Sequence, residues 1–147
     1  MKQLISLTLC VVLLMLVLPV TGNAAEQETI YFADGSYMTV EIIHCAVRAS
    51  GNVTGSKKYT YYDDNDASQW KTVLTGSFTY TGSSATCTSS SVDVTIYNSS
   101  WYTSYKTASK SGNKAKASVT MKISNNDTTL SVPVNLTLTC DANGNLS

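Results

Sequence analysis

Histidine is almost missing from this 147-residue chain, and His44 is the only one. Any Ser–His–Asp or Cys–His arrangement would have to use it. It sits inside an extended run beside Cys45, and adjacent strand residues point to opposite faces, so the two cannot readily pair. There is also no Cys-x-x-Cys, so a zinc site has no support. Charged residues make up only 14% of the chain, with ten acids against ten bases. That balance argues against a dedicated nucleic-acid binder, which would show a strongly basic face. After residue 20 no second long apolar run occurs and the C-terminus is polar, which argues against a later membrane span or lipid tail. No segment shows convincing amphipathic helical spacing, and there is no internal repeat or linker.

The one long apolar run lies at the start. Met1-Lys2-Gln3 is followed by Leu4 to Val20, then by Thr21-Gly22-Asn23-Ala24-Ala25. A short basic start, an apolar centre and small residues before a polar segment are the three regions of a secretory signal. Residues 1–25 are therefore expected to be a signal peptide cleaved after Ala24 or Ala25, with Cys10 inside the discarded part. Residues 26–147 are then one domain of about 122 residues, secreted, with no membrane span after processing. Loss of Lys2 leaves ten acids and nine bases.

Ser and Thr form about a quarter of the chain, with nine tyrosines and few leucines in the mature part. Thr and Tyr with Val and Ile is strand composition. Strict alternation recurs, with one polar face, as in antiparallel strands solvated on one side. It runs from Trp70 to Tyr80, from Val92 to Ile96, from Ala115 to Ile123 and from Leu130 to Cys140. Further strands are expected at Thr29 to Phe32, Lys57 to Tyr62 and Trp101 to Thr107. Another is expected at Ser36 to Ala49, where parity slips between Ile42 and Ile43 as a bulge would cause. Seven or eight short strands separated by Gly, Asn, Asp and Ser clusters predict an all-β antiparallel sandwich, immunoglobulin-like or similar. Pro133 cannot donate to a ladder, which places the last strand at an edge.

Three cysteines survive processing: Cys45, Cys87 and Cys140. One disulfide and one odd thiol is the default for an exported chain, and three pairings are open. Cys87 and Cys140 stand at expected strand-to-loop junctions, which favours joining them. Cys45 lies among Ile42, Ile43, Ala46 and Val47, where a thiol packs as a small hydrophobe.

The carboxylate cluster Asp63-Asp64-Asn65-Asp66 offers two chemistries, glycoside hydrolysis by paired acids or calcium ligation. Asp and Asn are equally the residues of turns, and a turn is the reading adopted. Asp141 to Asn145 imitates the start of a calcium loop, but Leu146 stands where that loop needs Gly. Lys114, Lys116 and Lys122 share one outward strand face, without an acid between Asp93 and Asp127. The Asn-x-Ser/Thr triplets at Asn52, Asn98, Asn126 and Asn135 are expected by chance in so Ser/Thr-rich a chain.

Aromatics carry the functional expectation. Tyr59, Tyr61, Tyr62, Trp70, Trp101, Tyr102 and Tyr105 fall in three segments. Trp70, Trp101 and Tyr105 have core parity, so Tyr102 should face out. In Tyr59-Thr60-Tyr61-Tyr62 parity alone leaves both faces open; if Tyr59 and Tyr61 are core, Tyr62 faces out as well. Outward aromatics on a polar sheet supply rigid contact area for a ligand, which makes Tyr62 and Tyr102 the candidate ligand-binding residues.

The tail Leu136-Thr137-Leu138-Thr139-Cys140-Asp141-Ala142-Asn143-Gly144-Asn145-Leu146-Ser147 resembles the ends of small exported proteins of Gram-positive bacteria, which are of unknown function. Segments like Ser83-Ser84-Ala85-Thr86-Cys87-Thr88-Ser89-Ser90-Ser91 occur in them too. The resemblance spans the second half of the mature chain and implies export and a Cys87–Cys140 pair, but no activity. Cys45 has no counterpart in that pattern.

These readings predict a secreted, non-catalytic binding module without cofactor or metal, whose partner is a cell-surface glycan, a wall polymer or a protein. A secreted effector such as a bacteriocin or inhibitor is one alternative. A glycan hydrolase using Asp63, Asp64 or Asp66 is the other.

Overall fold

The computed structural model describes residues 27–48, 51–125 and 128–147. The expected signal peptide, Asn126 and the side chain of Cys45 lie outside the described residues. Eight antiparallel strands occur among those described: β1 (Gln27–Tyr31), β2 (Tyr37–Arg48), β3 (Asn52–Tyr62), β4 (Ser68–Tyr80), β5 (Ala85–Ile96), β6 (Trp101–Ser111), β7 (Lys114–Asn125) and β8 (Thr128–Thr139). β1 to β5 form one sheet in that order, and β6 to β8 form a second. The two sheets pack as a sandwich. Each strand pairs with its neighbour in sequence, so the connections form a meander rather than the Greek key of immunoglobulin domains.

Alternation decides which side chains meet between the sheets. Trp70, Leu74 and Phe78 of β4 are almost fully buried, and so are Val119 and Met121 of β7 and Leu136 and Leu138 of β8. Tyr61 stacks on Trp70 with centroids 5.2 Å apart, and both meet the edge of Trp101 at the start of β6. β8 is an edge strand, in agreement with Pro133. The two-residue turn Gly112-Asn113 places its glycine at φ 56°, as the first position of a type II′ hairpin requires.

Several local expectations change. β5 begins at Ala85 and β3 at Asn52, ahead of the expected starts at Val92 and Lys57, so two Ser/Thr/Gly-rich stretches join the strands. Their backbone bonds to neighbours hold them where an apolar period is missing. The irregularity in β2 falls between Cys45 and Arg48 instead of at Ile42, because pairing with β3 continues unbroken through Cys45. Tyr105 is 55% exposed, against an inward expectation. A register shift between Thr103 and Tyr105 flips the parity of β6, so Tyr105 lies opposite Thr120 on the outer face.

Candidate functional site

Cross-strand register builds a tyrosine ladder on the outer face of the larger sheet. Tyr31 on β1 stands opposite Tyr37 on β2, and Tyr37 opposite Tyr62 on β3. Tyr37 and Tyr62 stack at 4.8 Å with planes 11° apart, and Tyr31 leans on Tyr37 at 5.8 Å. The stacking distance of Tyr37 and Tyr62 matches the spacing of paired strands, so these two rings stand side by side above the sheet. Tyr31, at the edge of the sheet, is 76% exposed. Beside the ladder, Asp66 holds a positive φ of 63° in the β3–β4 turn. Desolvation first, and then the nearby Asp66 carboxylate, push the Tyr37 hydroxyl pKa upward.

Tyr62 thus faces out, as expected. Tyr102 also faces out, opposite Lys122, and is exposed. However, it lies on the outer face of the other sheet. The two tyrosines look away from each other and do not form one site.

The Asp63–Asp66 cluster is a turn. Asp63 accepts the amides of Asn65 and Ala67 with one oxygen and the Gln69 amide with the other. Asp64 accepts from the Asn65 side chain. Asp141 likewise accepts the Asn145 side-chain amide and the backbone amides of Asn145 and Asn143, bonds that lower its pKa. Among the described residues no three His, Cys, Asp or Glu side chains gather as a metal ion requires.

Cys87 and Cys140 are both free, buried thiols, so the expected disulfide is not formed in the structure. They flank the same hairpin turn nonetheless. The Cys87 amide donates to the Gly112 carbonyl at 2.8 Å, and the Cys140 amide to that of Asn113 at 3.0 Å. Burial raises both thiol pKa values, and a charge on Cys87 or Asp141 raises that of Cys140 further.

A second feature, unannounced by the sequence, lies between the sheets. The β5–β6 side is closed, with Lys110 donating to the Thr88 carbonyl and Ser90 to that of Lys116. On the opposite side five strands face three, and an apolar cleft of about 560 Å³ opens between β1–β3 and β8. Ile30, Met38 and Tyr59 form one wall and Leu130, Val132 and Val134 the other. It adjoins a recess of about 340 Å³ lined by Asp34, Asp63 and Asp64. At the seam Tyr61 donates to Ser36 (2.9 Å), which donates to Asp34 (2.5 Å). Those Ser36 bonds hold the Asp34 carboxyl below its usual range. No alternation pattern could reveal this cleft, because it depends on the unequal strand numbers of two sheets.

No family model matches the chain, and neither a curated protein nor a solved structure matches it.

Proposed function

We propose that the mature domain is a secreted, non-catalytic module that binds a cell-surface glycan or wall polymer through the outer face of β1–β3. The observation that carries this reading is the in-register ladder Tyr31–Tyr37–Tyr62. Aromatic groups that remain in water on a polar sheet supply contact area at low entropic cost, and their hydroxyls add hydrogen bonding. Asn65 and Asp66 beside the ladder bring further polar groups for sugar hydroxyls. The signal-like residues 1–25 support export, where the ligand would be met.

In the same oxidising compartment Cys87 and Cys140 join as one bridge. Their placement on consecutive carbonyls of one turn supports this. Closing a loop of about 50 residues contributes roughly 4 kcal/mol in the chain-entropy view. Non-reducing peptide mapping of secreted protein finds the Cys87–Cys140 linkage, and two unlinked peptides would refute it.

The binding test is retention on wall polysaccharide and calorimetry with its fragments, with the products checked for cleavage. Tyr37→Ala and Tyr62→Ala weaken binding about tenfold or more, some 1.4 kcal/mol, and Tyr102→Ala leaves it unchanged. Folded ladder variants that bind like the parent would remove the reading, as would turnover of the polymer.

A further inference from the structure

The cleft between the sheets is two-ended. Its apolar part is bounded by Ile30, Met38, Tyr59, Val132 and Val134, and Leu130 stands 44% exposed at the mouth. Six consecutive β8 residues, Leu130 to Asn135, line it, so it runs about 16 Å along the strand. The adjoining recess shares Asp34, Ser36, Tyr61 and Leu130 with it, which makes the two one continuous groove. The recess is acidic, with Asp34, Asp63 and Asp64 around it. Among the described residues the only ion pair is Lys58–Glu41, so no basic side chain neutralises these carboxylates. Among the described residues, the turns at this end, 32–36, 63–67 and 97–100, contain four acids and no base.

We propose that this groove binds an amphiphile with an alkyl chain and an ammonium head, the chain lying between the sheets and the head at Asp34 and Asp64. Apolar walls left open to water favour an apolar occupant. The unpaired carboxylates select the sign of its head group, since a cation gains from each and an anion is repelled by each. Asp63 has both oxygens engaged by its own turn, which leaves Asp34 and Asp64 as the closer partners. Side chains alternate along β1–β3, so Ile30, Met38 and Tyr61 face opposite to Tyr31, Tyr37 and Tyr62. The groove is therefore independent of the tyrosine ladder and of the glycan reading.

The test is calorimetric titration of the mature protein with decyltrimethylammonium, below its micelle concentration, and in parallel with decanoate at pH 7. Expected is saturable binding of one ammonium probe, about tenfold or more tighter than decanoate, with a preference that shrinks as salt screens the charges. Leu130→Arg, at an exposed position, weakens the ammonium probe by about tenfold or more. Asp34→Asn with Asp64→Asn keeps the turn's acceptor atoms, and brings the two probes within about threefold of each other. Urea unfolding confirms that each variant is folded. Absence of saturable binding overturns the proposal, as does equal binding of both probes by the parent. So does a self-associated protein that Leu130→Arg makes monomeric, since a second copy would then fill the groove.

Discussion

The indole N–H of Trp101 donates to the side-chain carbonyl of Gln69, 3.3 Å away, and so ties the first strand of the smaller sheet to the larger one. The same oxygen accepts from Asn98 at 2.7 Å, while the Gln69 amide donates to Asp63 and to the Ala67 carbonyl. One buried side chain therefore serves the β3–β4 turn, the β5–β6 connection and the tryptophan cluster. Gln69→Leu should cost about 2 to 4 kcal/mol, because it leaves the Trp101 N–H and an Asp63 oxygen without partners. Urea unfolding measures this. A loss below about 0.5 kcal/mol, ordinary for a surface change, would show that Gln69 is no keystone.

Thr72 makes the opposite prediction. It is fully buried in β4 and its hydroxyl has no hydrogen-bond partner. Replacing an unpartnered buried polar group by an apolar one of the same shape removes a desolvation cost. Thr72→Val should stabilise the fold by about 1 kcal/mol, seen as a higher urea midpoint at unchanged slope. A destabilised variant would contradict it.

Gly76 concerns space, since its φ is not positive. A Cβ there would lie 2.8 Å from the Ala115 Cβ and 2.8 Å from the Phe78 ring. Both neighbours are almost fully buried, and Ala115 belongs to the facing sheet. Gly76→Ala should therefore cost about 1 to 3 kcal/mol through overpacking, although alanine would otherwise stiffen the unfolded chain. Thermal unfolding decides, and an unchanged midpoint would mean that the sheets can separate at no cost.

Alkaline pH should destabilise the reduced protein. Burial raises the thiol pKa values of Cys87 and Cys140 and the hydroxyl pKa of Tyr61. The unfolded chain thus ionises first as pH rises, from about 8.5 for cysteine and about 10 for tyrosine. These groups contribute fully below the unfolded pKa, and their contribution is lost as pH climbs toward the folded values. Urea midpoints under a reductant should be level from about pH 7 to 8 and fall beyond about pH 8.5. In Cys87→Ala with Cys140→Ala the fall should begin at higher pH, nearer the tyrosine range of about 10. A midpoint that rises with pH would reverse the assignment.

The architecture was legible where burial imposes a strict period. β4, β7 and β8 carry it from end to end, and the inward faces of Trp70, Met121 and Leu136 follow directly. Parity says that Tyr61 and Tyr62 face opposite ways but not which is inside, and the stack of Tyr61 on Trp70 decides it. It fails at Tyr105, because one extra backbone residue inverts all that follows while the composition is unaltered. The pattern does not reveal Tyr37 as the partner of Tyr62, or Tyr31 as that of Tyr37, since cross-strand register depends on turn geometry as well as on side-chain pattern. Gln69 looks like any polar residue after a turn, and only the convergence of two distant loops shows its role.

The order of strands bears on how quickly the chain finds its shape. All the strand pairings within the two sheets join strands that follow one another in sequence, so each hairpin closes a short loop at modest entropic cost. The one distant event is the docking of β6–β8 onto β3–β5. An all-β domain wired this way should fold faster than Greek-key sandwiches of similar size, whose sheets also pair strands distant in sequence. On the proposed export, β1 to β5 would assemble in the order they emerge, leaving the cleft side of that sheet bare until β8 arrives.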